Sequence, residues 1–384
     1  MSKSGRYLYW KAPKKYADLG CDPKRERLAG TSGDGDDPAR ALRCRELTAS
    51  MIDQFAEEQP TVQIGTWEWM FMRYQTDAES PYQDVKANTR EIYDILINKW
   101  IEAIGDTLLS GANFQAVKRW EHAMKDNGRS ADWIARMFTM MRTVVGYGAA
   151  LENAECQRFQ VVLSNMRFKK GKPKNTAGTP DQIAKIVDVA MQDGAHAFVL
   201  GCSLQWWFSM RAVDVRGQWL DMKPGEEPSG IVRNGKRWQD GLTWDMIDKD
   251  VTQIVKTFSK TEGTTGASRL FDLTQTPEIR EQLMATPPEK RVGPVIVSSR
   301  SGLPYTRHGW CQAWARYRKS AGVPDHVKNM GIRPAALTHG ERAGASPFEL
   351  RDAAGHADIS TTNRYIREAD EAAAKVVKLR RNQA

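Results

Sequence analysis

The residues from Ser346 to His356 write both ends of one helix into the chain. Ser346 and Glu349 have the spacing of a capping box, in which each side chain satisfies a backbone amide at the helix start. Pro347 takes the first helical position, where the amide hydrogen it lacks has no partner anyway. Gly355 is the residue type that ends a helix by turning left-handed. His356 is thereby placed just past a helix exit, and Ser360 or Thr361 is expected to cap a following helix that carries Tyr365. This stretch of the chain can therefore fold in very few ways, and the rest must be arranged around it.

Arg333 stands 23 positions before His356 and 32 before Tyr365, and the pair Thr361-Thr362 precedes the tyrosine. This ordered set resembles the C-terminal signature of the tyrosine recombinases, the phage-integrase family. There an arginine is followed by a Gly-His pair and then by a nucleophilic tyrosine. The family usually has His-x-x-Arg, and this chain has Met330 where that histidine belongs. A His-x-x-Arg string does occur at His339 to Arg342, but it leaves only 23 positions to Tyr365. Arg333 is therefore read as the family's second arginine, and His339 and Arg342 as helix residues. The vacant role falls to a water, a backbone group, Lys328 or His326.

The bulk properties agree with such a reading without requiring it. A chain of 384 residues with 41% hydrophobic and 27% charged residues is a folded protein of two or three domains. Its formal charge of +9 points toward a polyanionic partner. The five cysteines are scattered, with no Cys-x-x-Cys pair, which fits a reducing compartment and neither a disulfide framework nor a zinc knuckle. The opening residues have no apolar core of a signal peptide. The uncharged run from Gly194 to Met210 is too short and polar to span a membrane and reads as a buried helix. No Gly-x-x-x-x-Gly-Lys-Ser/Thr or His-Glu-x-x-His string is present, so neither a metal nor a nucleotide cofactor is expected.

Taken in order, residues 1–59 mix aromatic and basic side chains, with eight Lys/Arg against three Asp/Glu up to Arg27. They form an N-terminal extension, read either as a packing segment or, by resemblance, as a module gripping arm-type DNA sites. A loop is expected over 31–38 and a short helix over 40–58. Residues 60–168 carry apolar stripes at helical spacing: Ile64, Trp67, Phe71 and Tyr74; Ile92, Leu96, Trp100 and Ile104; Val117, Trp120 and Met124; Trp133, Met137, Met140 and Val144. Four short helices here resemble the family's core-binding (SAM-like) domain. Arg90, Lys118, Arg119 and Arg136 lie on polar faces, as candidates to meet phosphates. Residues 169–178, with Lys169 and Lys170, read as a basic interdomain linker.

Residues 179–384 form the remaining domain with its C-terminal tail. Thr179-Pro180-Asp181 caps a helix, and the next helix delivers Arg211 with Asp214 three positions on. By resemblance Arg211 is the first catalytic arginine and Asp214 the acidic residue that supports the site; Arg216 competes with Arg211. An extra segment, Lys223 to Gly241, precedes the pattern LTWDMID. Residues 251–273 read as two alternating strands joined by a Gly/Thr turn. Lys260-Thr261 sits at that turn like the family's hairpin lysine, with Lys256 as its rival. GPVIVS (293–298) is expected to be a short buried strand, and Arg307 opens a helix in the region where the family packs DNA-contacting helices. The fold class that follows is mainly α with a small β-sheet (α+β): a helical core-binding domain followed by a tyrosine-recombinase catalytic domain.

The resemblance implies a metal- and ATP-independent DNA strand exchange. Tyr365 would be the nucleophile, Arg211 and Arg333 the phosphate clamps, His356 a hydrogen-bond donor and Lys260 the general acid. Double-stranded DNA, a homotetramer on that DNA, and an excisionase or host DNA-bending protein are the implied partners, in the cytoplasm of a bacterial host and on its nucleoid when bound. The other reading is a DNA-binding protein of the same fold without strand transfer.

Overall fold

The computed structural model describes residues 2–4, 7–18, 20–31, 38–54, 62–171, 176–222, 226–227, 229–259, 268–363 and 381. The chain divides into two compact units, residues 1–171 and 172–384. No described helix is long and apolar enough to cross a membrane.

The first unit opens with an antiparallel sheet in the order β1 (Ser2–Ser4), β2 (Tyr7–Lys11), β3 (Arg25–Thr31). Helix α1 (Lys14–Asp18) lies between β2 and β3, and α2 (Pro38–Gln54) follows them. Strand alternation sorts β2 into two faces. Leu8 and Trp10 are buried with Cys21, Leu28, Leu47 and Met51 in a small core. Tyr7 and Tyr9 alternate with them, and the guanidiniums of Arg27 and Arg25 each lie 3.7 Å from the ring of one of these tyrosines. The helix expected over 40–58 is α2, with residues 55–58 outside the described set. The sheet was not expected, because each strand is too short and too charged for its alternation to stand out.

Five helices follow: α3 (Trp67–Thr76), α4 (Ala87–Ile104), α5 (Phe114–Asp126), α6 (Ala131–Ala150) and α7 (Ala154–Ser164). Thr66, Asn113, Ser130 and Asn153 each cap a helix by accepting from a first-turn amide. Trp67, Phe71, Trp100, Phe138 and Phe159 are almost wholly buried and meet tilted or edge to face. Two expectations change here. Ile64 precedes the cap of α3 and is 76% exposed, and Ile92 is 49% exposed, so neither belongs to the core. Four helices were expected, and α7 is a fifth. It packs on α6 where Gly148 leaves room: a Cβ there would sit 2.5 Å from the Cys156 sulfur.

In the second unit, α8 (Pro180–Gln192) starts with a capping box between Thr179 and Gln182. The apolar run ahead of Arg211 is the buried helix α9 (His196–Trp207), and α10 (Ala212–Arg216) begins directly after that arginine. Strands β4 (Gln218–Asp221), β5 (Val232–Arg233) and β6 (Lys236–Gln239) form a sheet in the order β4-β6-β5, so the extra segment is a hairpin added to β4. Strands β7 (Gln253–Thr257) and β8 (Ser268–Asp272) pair antiparallel, with Val255 opposite Leu270. The remaining helices are α11 (Pro277–Met284), α12 (Arg307–Ser320), α13 (Ile332–Arg342), α14 (Pro347–Ala354) and α15 (Ile359–Asn363). The strand expected at 293–298 is instead extended chain with isolated bridges from Pro294 and Val297. The core gathers Phe198 and Leu204 of α9, Ile254 and Phe258 of the β7 segment, and Trp310 and Trp314 of α12.

Candidate active site

Helix α14 closes as its sequence dictates. The Ser346–Glu349 capping box is formed, and Gly355 ends the helix in the left-handed conformation at φ 62°. A Cβ on Gly355 would lie 2.6 Å from the Phe258 ring, so close approach demands glycine as well as conformation. His356 is buried just beyond, and its Nδ1 lies 2.9 Å from the Thr362 hydroxyl of α15. The cap of α15 is neither Ser360 nor Thr361: Asp358 Oδ1 accepts from the Ser360 amide at 2.7 Å.

Arg333, 8% exposed on the first turn of α13, ties two other segments together. Its Nη1 donates to the Ser209 carbonyl at 2.6 Å and its Nη2 to the Ala354 carbonyl at 2.7 Å. Ser209 is two residues before Arg211, and Ala354 two before His356. Ser209 itself is a buried non-glycine residue at φ 50°, a conformation held only where the surroundings over-determine it. One guanidinium thus fixes the spacing between the segments that carry the other two site residues.

Arg211 lies over the Phe258 ring, its Cζ 5.5 Å from the ring centre. Its Nη1 is 3.7 Å from Asp214 Oδ2, and neither atom has a hydrogen-bond partner among the described residues. The other carboxylate oxygen of the fully buried Asp214 accepts from the Ser259 amide at 3.0 Å and the Ser259 hydroxyl at 2.9 Å. Asp214 therefore holds both Arg211 and the residue next to Lys260. Lys260 and Tyr365 lie outside the described residues, as does the C-terminal tail apart from Arg381.

The rival residues have other engagements. Lys256 is buried, and its Nζ donates to the carbonyls of Asp240 and Gly241, each at 3.0 Å. Arg216 is buried with Nη1 on the Gly217 carbonyl at 2.6 Å; burial pulls its pKa down to about 10, still cationic at neutral pH. At the position where the family has histidine, Met330 is 69% exposed, and His326 and Lys328 are exposed as well.

The structure thus brings together Arg211, Asp214, Arg333 and His356. Sequence reasoning missed Phe258 and Ser259, which join them. A signal was available in the alternation of β7, since Ile254, Lys256 and Phe258 share the inward parity. Among the other named cations, Arg90 Nη2 donates to the carbonyls of Tyr82 and Gln83 at 3.4 and 2.8 Å, which assigns it to holding that turn. Lys118 pairs with Glu121 at 3.0 Å. Arg119, Arg136, Lys169, Lys170 and Arg307 are exposed. No group of three His, Cys, Asp or Glu among the described residues could hold a metal ion.

No protein-family model matches the sequence, and no curated protein does. Solved structures do match the fold. A lambda integrase dimer bound to a COC′ core site superposes with a TM-score of 0.60 at 15% identity, over 95% of this chain and 93% of that one. A lambda integrase tetramer bound to a Holliday junction gives 0.60 at 15% identity, over 94% and 93%. The Tn1549 transposon integrase in complex with transposon right end DNA gives 0.57 at 16% identity, over 82% and 99%. The chain has the α+β fold of these tyrosine recombinases.

Proposed function

We propose that this protein is a site-specific DNA recombinase that cuts and rejoins strands through a 3′-phosphotyrosine. The observation that carries this reading is the single guanidinium of Arg333 binding the segments of Arg211 and His356, with Asp214 holding the residue beside Lys260. In the reaction, the Tyr365 hydroxyl gives up its proton to solvent as its oxygen attacks the scissile phosphorus and the bond to the 5′ oxygen breaks. Lys260 gives that oxygen a proton, and a 5′-hydroxyl leaves. The phosphotyrosine conserves the bond energy, so a second 5′-hydroxyl reverses the step and joins new partners. Arg211 and Arg333 face the charge that builds on the nonbridging oxygens, which the planar guanidinium fork suits. His356, oriented by Thr362, adds a further donor.

The partner is double-stranded DNA, and by likeness to the lambda assemblies the working form is a homotetramer that passes through a Holliday junction. The event served is integration or excision of a phage or mobile element in the cytoplasm of a bacterial host, at its nucleoid. An excisionase or a host DNA-bending protein is the expected accessory factor. The 1–59 module, with Tyr7, Tyr9, Arg25 and Arg27 stacked on one sheet face, is assigned to arm-type DNA, 60–168 to core binding, and 169–178 to a linker.

The deciding experiment is a nicked duplex carrying the attachment sequence. Wild-type protein is expected to accumulate a covalent adduct, and Tyr365→Phe none while still binding the duplex. An adduct that persists in Tyr365→Phe would refute the assignment, and binding with no wild-type adduct would leave a non-catalytic binder. The two lysines separate in the same assay. Lys260→Ala is expected to cleave slowly and to recover on a 5′-bridging phosphorothioate, whose sulfur leaves without a proton. Lys256→Ala is expected to lose about 2–3 kcal/mol of stability, because two buried carbonyls lose their donor, with no recovery on that substrate. Recovery of Lys256→Ala alone would exchange their roles.

A further inference from the structure

The second unit holds a cavity of about 710 Å³ that takes no part in the site described above. It runs along one face of α12, from Thr306 at the helix cap through Gln312 to Arg316 and Tyr317. The added hairpin contributes Arg233 and Lys236 to its lining, and Arg300 comes from the loop before α12. The lining carries four cations against the single carboxylate of Asp193, which already pairs with Arg316 at 3.0 Å. Lys236 leans on the largely exposed Asp221 at 3.0 Å. Arg233 and Arg300 are exposed and have no ion-pair partner among the described residues. Ser298, Ser299 and Ser301 add hydroxyls to the same rim.

We propose that this groove is a second DNA-backbone site, in which Arg233, Lys236 and Arg300 hold phosphates of the duplex flanking the cleaved core. The proposal rests on the recombinase reading and extends it to the segment that the family pattern does not contain. Position argues for DNA: the cavity shares the first turn of α12 with the exposed Arg307, a candidate to meet the duplex on the recombinase reading. Shape argues for a strand over a compact anion. From Thr306 to Tyr317 the helix advances about 16 Å, room for about five phosphates of one strand at about 3.4 Å of duplex axis each. The cations come from three separate elements: the hairpin, the loop and the far end of α12. Chemistry argues for phosphate: unpaired guanidiniums fork onto its oxygens, and the serine hydroxyls donate to the same group.

The test compares wild type with Arg233→Glu/Arg300→Glu on a mixed-sequence duplex of core length and on the same duplex extended by two helical turns at each end. Fluorescence anisotropy is read over a salt series. Wild type is expected to bind the extended duplex more tightly. The variant is expected to lose about tenfold on the extended duplex and little on the short one, and its log K–log salt slope to fall by about 2. Its melting temperature and its adduct rate on saturating core substrate should match wild type. Equal affinity of wild type and variant for the extended duplex overturns the proposal, even where wild type forms the adduct and the recombinase reading stands. Failure of wild type to bind any duplex overturns both. Inorganic phosphate and ATP are titrated in parallel, following the melting temperature. A saturable shift in wild type, lost in the variant and unaccompanied by any dependence on duplex length, assigns the groove to a free phosphate compound and overturns the DNA assignment.

Discussion

Arg333→Ala is expected to give no measurable covalent adduct, while Arg342→Ala cleaves at close to the wild-type rate. Two losses coincide at position 333. The transition state loses one fixed donor, an effect of about 3–4 kcal/mol or roughly a hundred- to thousandfold in rate. The protein also loses the tie between Ser209 and Ala354, two carbonyls that the buried guanidinium satisfies at 2.6 and 2.7 Å. Arg333→Lys separates the parts. An ammonium keeps the charge but lacks the fork that reaches both carbonyls, so cleavage should stay at least tenfold down although the charge is conserved. Single-turnover rates on the nicked duplex, with melting curves for each variant, provide the check. If Arg342→Ala is the dead variant and Arg333→Ala is active, the arginine register is wrong and the string at His339 to Arg342 is the functional one.

Gly355→Ala is expected to damage stability and cleavage together. A left-handed residue with a side chain costs about 1–2 kcal/mol, and the new carbon meets the Phe258 ring at 2.6 Å. That ring cannot retreat freely, because Arg211 lies over it at 5.5 Å and Ser259, the next residue, is bonded to Asp214. Strain at the helix end is therefore delivered to Arg211 through the ring and to Asp214 through Ser259. The expected result is a clear fall in melting temperature and at least a tenfold loss of cleavage. Gly355→Asn tolerates the backbone angle but keeps the collision, so it should recover part of the stability and none of the rate. Adding Phe258→Ala to Gly355→Ala removes the collision; stability should return in part, and cleavage should remain low because Arg211 has lost its platform. Full recovery of cleavage in that double variant would show that Phe258 only fills space.

These two positions also mark how far the sequence could be read. The ends of α14 were legible because proline, serine, glutamate and glycine act through the backbone of their own neighbours, whatever surrounds them. The β7–β8 strand pair was legible from alternation, and Arg211 was picked out only by the family resemblance. The links between them were not. Phe258, Ser209 and Ser259 join the site through contacts between segments 45 or more residues apart, as with Asp214 and Ser259, and nothing local in the sequence specifies such a meeting. The N-terminal sheet failed for a different reason: its strands are short and rich in Arg, Lys and Glu, and β2 and β3 bury only Leu8, Trp10 and Leu28, which is too little apolar signal to see. Ile64 and Ile92 erred the other way. They fit a helical period yet fall outside the stripe that is buried, since periodicity alone does not say where a helix begins or how wide its packed face is.

The added hairpin is closed off at its base. Trp238 lies against Gly217 and Gly241 and donates Nε1 to the Arg216 carbonyl at 3.0 Å, and the ammonium of Lys256 grips the peptide carbonyls at 240 and 241. Entry and exit of the segment are thus pinned side by side, independently of its tip. The tip is a cassette: it can lengthen or shrink from one lineage to the next without disturbing the chemistry a strand away. Across descendants of this chain, residues 217, 238, 241 and 256 should stay fixed while the length of the segment they enclose varies.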